Sequence, residues 1–253
     1  MIKLNKKITF TFIVLLMVAL ISLMSLQSFK GVASVYLGND RKLPIYSVNR
    51  DDNKIAISFD CAYGDEYTLE ILDTLDKYGV KCTFFAVEFW VNKFSDKVIE
   101  IDKRGHEIGT HSKTHPKMST LSKSQMESDL TSSISAIEKL TNKKVELFRA
   151  PFGDYNNSLI EVASSLNLYT IQWDVDSLDW KNLSSDEIVN RILSKTKSGS
   201  IILCHNNGLH TAEALKTLLP KLQEKGFEFL PISKLIYKDK YQINSNGVQS
   251  QIK

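Results

Sequence analysis

Residues 54–60 read KIAISFD, and Asp60-Cys61-Ala62-Tyr63-Gly64-Asp65 follows directly. The β-branched and aromatic residues Ile55, Ile57 and Phe59 mark a strand. Asp60 closes that apolar run, where an acid is costly unless it is paired. Downstream the same unit recurs, a short apolar strand and then a helical pattern. Residues 65–78 place Leu69, Ile71, Leu72, Leu75 and Tyr78 at helical spacing and stop at Gly79. Strands are predicted over 80–87, 107–110, 145–148, 169–173, 200–204 and 227–230. Helices are predicted over 97–103, 122–140, 158–166, 184–197 and 211–225, with a last one from Pro231. Ser122-x-x-Gln125 and Ser184-x-x-Glu187 are capping-box patterns that open two of these helices.

Seven or eight βα units in about 185 residues imply parallel strands covered by helices. No glycine-rich phosphate turn follows the first strand, which argues against a doubly wound dinucleotide fold. The ionisable residues instead follow the C-terminal ends of many different strands. A barrel with its site on the top face produces that distribution.

Residues 8–29 are 22 residues without a charge, preceded by Lys3, Lys6 and Lys7. A helix of that length spans roughly 33 Å, enough for a bilayer core, and the flanking lysines predict the N-terminus inside. Gly31-Val32-Ala33 offers a small-residue cleavage site. The segment is therefore an anchor or a signal peptide cleaved near Ala33, and in both cases the body is extracellular. Residues 31–53 read as a stalk, with a short strand near Tyr46, and residues 238–253 as a frayed polar tail. The net charge of +3 belongs to the N-terminus. The first 30 residues hold four lysines and no acid, which leaves the body with 28 basic against 29 acidic residues. That balance offers no nucleic-acid surface. Three widely spaced cysteines form no disulfide framework.

The strand ends carry a compact set of groups. His111 and His115, four apart, can face one divalent metal, for which imidazole suits zinc. Asp60 reads as a general base oriented by Arg149. His205 closes the run Ile201-Ile202-Leu203-Cys204 and reads as a general acid, with Asp176 able to hold its imidazole in the charged form.

The arrangement resembles the polysaccharide deacetylases of the NodB-homology group, carbohydrate esterase family 4. Ser58-Phe59-Asp60, His111-Ser112-x-x-His115, Arg149-x-Pro151-x-Gly153, Asp176 with Trp180, and Leu203-x-His205 match its five motifs in order, over about residues 54–237. The resemblance implies a distorted (β/α)7-8 barrel, a divalent metal (typically zinc) held by two histidines and an acid, and hydrolysis of N-acetyl groups from amino sugars. It gives Asp60 as base and His205 as acid, with the Phe152 N–H sharing the oxyanion. Leu203 would floor the pocket for the acetyl methyl. Phe152, Tyr155 and Trp180 are the candidate sugar-stacking surfaces, and Trp173 reads as core packing. An exported, membrane-tethered monomer of this type points to a Gram-positive bacterium acting on its own wall, with peptidoglycan the first choice of glycan and spore cortex, another surface polymer or chitin oligomers the alternatives.

One position departs from the pattern. The second acid of the first motif, a metal ligand in the family, is Cys61 here. The thiolate could complete a Cys-His-His site, Asp65 could swing in instead, or metal binding could be weakened or lost. Loss would leave a glycan-binding pseudoenzyme.

Overall fold

The computed structural model describes residues 41–252. The 8–29 run and the N-terminal part of the stalk lie outside the described residues. Among the described residues no helix is long and apolar enough to cross a membrane.

A sheet is assembled first from Lys54–Cys61 (β2), Thr83–Ala86 (β3), Glu107–Thr110 (β4), Leu147–Phe148 (β5) and Tyr169–Thr170 (β6). Val175–Asp176 (β7) and Ile201–His205 (β8) complete it on the other side of β2. The order is β6-β5-β4-β3-β2-β8-β7, all parallel, with Glu228–Phe229 (β9) pairing the start of β2. The sheet curls, and helices cover its outer face.

Strand β2 shows how the two faces divide. Side chains alternate along a strand. Ile55, Ile57, Phe59 and Cys61 therefore pack into the large core beneath the helices. Ala56, Ser58 and Asp60 face inward. Inside the curl a second core, with Ala56, Phe85, Leu147, Ile171 and Ile201, seals one end. Ile45 and Val48 from the N-terminal side and Ile232, Leu235 and Ile236 from the C-terminal side complete that seal. The opposite end, where the strands finish, stays polar.

Of the helices, Thr68–Lys77 (α1), Lys123–Thr141 (α4), Asn157–Ser165 (α5), Ser185–Lys195 (α6) and Thr211–Glu224 (α7) match the periodicity. Both capping boxes form, with Ser122 and Gln125, and Ser184 and Glu187, bonded reciprocally. Between β3 and β4 the chain makes two helices, Glu88–Lys93 (α2) and Ser95–Lys103 (α3), where one was expected. A short helix, Ile232–Leu235 (α8), follows β9.

The expectation of a frayed tail over 238–253 is corrected. Tyr241–Ile243 (β10) and Val248–Gln251 (β11) form an antiparallel hairpin, and β11 pairs in parallel with Ser47–Val48 (β1). The stalk is likewise partly built in. Ile45 is buried and its N–H donates to Thr170 O at 2.9 Å.

Candidate active site

Arg149, fully buried at the end of β5, organises the polar mouth. Its Nη1 donates to Asp60 Oδ1 at 2.7 Å, and its Nη2 to Ser58 Oγ at 2.9 Å and Gln172 O at 3.2 Å. The guanidinium lies 4.2 Å above the Phe85 ring. Burial alone would raise the Asp60 pKa. The charge and hydrogen bond of Arg149, with His111 and His205 nearby, reverse that and hold the carboxyl below its usual value. Asp60 is therefore ionised at neutral pH.

His111 Nδ1 lies 2.8 Å from the Arg149 carbonyl. A carbonyl only accepts, so this nitrogen carries the proton and Nε2 is left with its lone pair. That lone pair faces Asp60 Oδ2 at 3.4 Å. Burial lowers the His111 pKa despite Asp60. His115 sits in left-handed backbone (φ +58) after a loop in which its N–H donates to Ser112 Oγ at 2.9 Å. Its ring stands 5.0 Å from that of His111, and its buried Nδ1 has no hydrogen-bond partner. Burial and then His111 lower its pKa to about 4. Both imidazoles are neutral and able to donate lone pairs.

Neither candidate for the third ligand joins them. Cys61 is fully buried on the helix side of β2, and its Sγ lies 3.9 Å from Phe59 O. Burial first, then Asp60, push its thiol well above the usual value. Asp65 lies 3.5 Å from Lys97 Nζ, in a surface ion pair. The suggestion that either residue completes a metal site is therefore corrected. Among the described residues no group of three or more His, Cys, Asp and Glu side chains is placed to hold an ion.

Opposite Arg149, β8 brings in His205. Asp60 and His205 are direct partners in the β2–β8 register, as are Ser58 and Leu203. Leu203, 3% exposed, lies on the inner side of β8 two residues before His205. The carboxylate that grips His205 is Asp179, correcting the choice of Asp176. His205 Nδ1 donates to Asp179 Oδ1 at 2.7 Å, and the His205 N–H to Oδ2 at 2.7 Å. Thr211 Oγ1 donates to Oδ2 at 2.7 Å, and the Trp180 N–H to Oδ1 at 2.9 Å. Asp176 Oδ1 instead accepts from the Leu178 N–H at 2.9 Å, within its own turn. Burial would lower the His205 pKa, but the hydrogen bond and charge of Asp179 outweigh it and raise it. Asp179 was overlooked although Asp176-Ser177-Leu178-Asp179 offered two acids. Left-handed Leu178 (φ +56) turns the second one back toward β8, and no glycine marks the spot.

Of the expected sugar-stacking groups, Phe152 is 66% exposed at a left-handed turn (φ +60) over Pro151–Gly153. Its ring lies 4.5 Å from His115. Trp180 is 57% exposed beside Asp179. Tyr155 is half-buried against the outer core and its hydroxyl accepts from Tyr46 at 3.2 Å, so its role is packing rather than stacking. Trp173 is half-buried, 5.6 Å from the Arg149 guanidinium.

The polysaccharide deacetylase profile matches residues 47–171. The uncharacterized protein YlxY of Bacillus subtilis is 34% identical over 203 residues, 80% of this chain, and the match spans 63% of YlxY's length. A peptidoglycan-N-acetylglucosamine deacetylase of Bacillus cereus is 33% identical over 196 residues, covering 76% of this chain and 92% of that protein. Among solved structures, BA3943 of Bacillus anthracis, described as a CE4 family pseudoenzyme, superposes with a TM-score of 0.74 at 35% identity. That match covers 76% of this chain and 68% of BA3943. The Bacillus cereus enzyme is matched over nearly all of its own length, and on that extent of agreement the chain belongs to the polysaccharide deacetylase family.

Proposed function

We propose that this chain hydrolyses N-acetyl groups from the amino sugars of a cell-wall glycan, peptidoglycan being the substrate named for its Bacillus cereus relative. One observation carries the reading. Asp60 and His205 face each other in register on neighbouring strands with opposite pKa shifts, the carboxyl held below its usual value by Arg149 and the imidazole raised by Asp179. An amide needs that pairing. Asp60, held by Arg149, takes a proton from water as the oxygen attacks the acetyl carbonyl. The Phe152 N–H is proposed to donate to the oxyanion that forms. The C–N bond then breaks as His205 Nε2, positioned through Nδ1 by Asp179, gives its proton to the leaving amine. Acetate and a free amino sugar result. Leu203 lies beneath this pair and suits the acetyl methyl.

His111 and His115 supply two neutral imidazoles, the start of a site for the divalent metal, zinc by choice of ligand, that the family resemblance implies. Two imidazoles alone do not make the three-ligand set of a catalytic zinc, so no step above passes through one. The finer architecture belongs to this proposal too. It comprises a distorted (β/α)7-8 barrel, an anchor over 8–29 with the body outside the cell, and a monomer acting on its own wall. The anchor reading rests on the uncharged run and its lysines.

A second reading, a glycan-binding pseudoenzyme, is favoured by one observation, the burial of Cys61 where the family places a metal-binding acid. Acetate release from N-acetylated peptidoglycan, with zinc added and with chelator, separates the two. The deacetylase reading expects release that falls about a hundredfold or more in Asp60→Asn and in His205→Ala. Glycan binding without release from the wild type would favour the second reading.

A further inference from the structure

Exposed aromatic rings continue past the acid–base pair. Phe152 meets His115 at 4.5 Å, His115 meets Tyr63 edge-on at 5.9 Å, and Tyr63 meets Phe89 at 5.8 Å. Tyr63 is 60% exposed and Phe89 37%, so two large apolar faces are left to water beyond His115. Nothing in the hydrolysis derived above uses them.

The backbone that presents Tyr63 is fixed. Gly64 is left-handed (φ +62), and its carbonyl accepts from Trp90 Nε1 at 2.6 Å and from Asn206 Nδ2 at 3.0 Å. Asn206 also donates to Thr68 Oγ1 at 3.1 Å. Trp90 and Asn206 are both fully buried, and Asn206 directly follows His205. The end of β8 that carries the acid thus also pins the loop that carries Tyr63. Below that loop the Val87 N–H donates to Cys61 O at 3.0 Å. A rigidly held, exposed tyrosine loses little conformational entropy when a ligand covers it.

We infer that Tyr63 and Phe89 form a second stacking subsite, which holds a sugar residue next to the one whose acetamide reaches Asp60 and makes the chain select oligomers over short glycans. The inference rests on the glycan reading above and extends its site. Pyranose rings present flat C–H faces that stack on aromatic rings, and the strip runs without a break from the Phe152 wall of the site. A second copy of the chain is a poorer occupant, because a stable protein interface needs about 800 Å² per partner and the strip is a line of four rings.

Calorimetry with β-1,4-linked N-acetylglucosamine oligomers of two and four residues tests this on the whole chain, beside acetate release from the same oligomers. The tetramer should bind wild type more tightly than the dimer. Tyr63→Ala should lower tetramer affinity roughly tenfold and bring the two lengths together, while Tyr63→Phe keeps the preference, since the ring face and not the hydroxyl makes the contact. Far-UV circular dichroism and melting of each variant check folding. A length preference that survives in Tyr63→Ala, or a wild type that binds neither oligomer, overturns the subsite. Length-dependent binding lost in Tyr63→Ala with no acetate released by wild type would support the subsite and remove the deacetylase reading. Acetate release with the same length dependence in both proteins would remove the subsite and keep the enzyme.

Discussion

Asp179→Asn tests whether the acid is made by its partner. The change keeps the shape of a fully buried side chain and removes its charge. In the wild type, Asp179 is one end of a 2.7 Å ion pair with His205. A hydrogen bond to a charged group contributes about 1.5–3 kcal/mol, and one pKa unit is about 1.36 kcal/mol. The His205 pKa, raised above 6.5 in the wild type, should therefore fall by roughly one to two units. Hydrolysis needs His205 protonated, so the alkaline limb of the pH–rate profile should move to lower pH by that amount. The rate should drop most on the alkaline side, by up to about ten- to a hundredfold. Stability shifts with a definite sign. The folded pKa of His205 lies above its unfolded value, so its contribution is full below about pH 6.5 and is lost as pH rises through the folded value. Asp179, lowered from 3.8 because its bonds and charge pairing with His205 outweigh burial, contributes above that value and loses its contribution as pH falls through the folded one. The melting deficit of Asp179→Asn should thus be larger at pH 5.5 than at pH 9. Acetate release across pH, with NMR titration of the His205 ring, measures the shift. An alkaline limb and a His205 titration unchanged in the variant would refute the assignment of Asp179 as the positioning residue.

Two further substitutions probe the other side of the mouth. Cys61→Ala should cost about 1 kcal/mol of stability as a small core cavity and change zinc affinity less than twofold by calorimetry; a large loss of zinc binding would mean that the thiolate reaches the histidines. Arg149→Lys cannot span Asp60, Ser58 and the Gln172 carbonyl at once. It should destabilise the fold by roughly 3–5 kcal/mol in urea and move the acidic limb of the pH–rate profile upward as Asp60 regains an ordinary pKa.

What the sequence revealed, and what it hid, follows from where each element gets its stability. Strands β2 and β8 were legible because a parallel sheet covered on both faces demands near-continuous apolar runs. Strand β7 is two residues long, too short for any periodicity, and its place is set by its pairing with β8. Helix α2 is six residues long, too short for a helical period to show, and its N-cap Val87 continues the apolar run of β3. The C-terminal hairpin is polar in composition, and its sequence reads as a tail. Its register is fixed by Gln249, which is fully buried, accepts from the Tyr237 N–H at 2.9 Å and donates to the Tyr237 carbonyl at 2.7 Å. A buried glutamine satisfied by backbone carries no signature in one sequence. For the site, strand ends told which residues would meet, but not which of two acids would turn toward His205.

Cys61 is the instructive residue, because its fate turns on where β2 stops. A strand ending at Asp60 leaves the next side chain free to turn toward the histidines. The ladder instead continues one step further, with Cys61 opposite Ala86 on β3. Consecutive residues on a strand point to opposite faces, so once Arg149 fixes Asp60 inward, Cys61 is committed outward. To reach His111 and His115 the thiol would have to undo that last pairing and the Val87 N–H bond to Cys61 O, at about 1 kcal/mol for each bond lost. It would also leave a gap beside Phe59 in the outer core. Cys61 is thus held away from the two histidines by the same β pairing that turns Asp60 toward them.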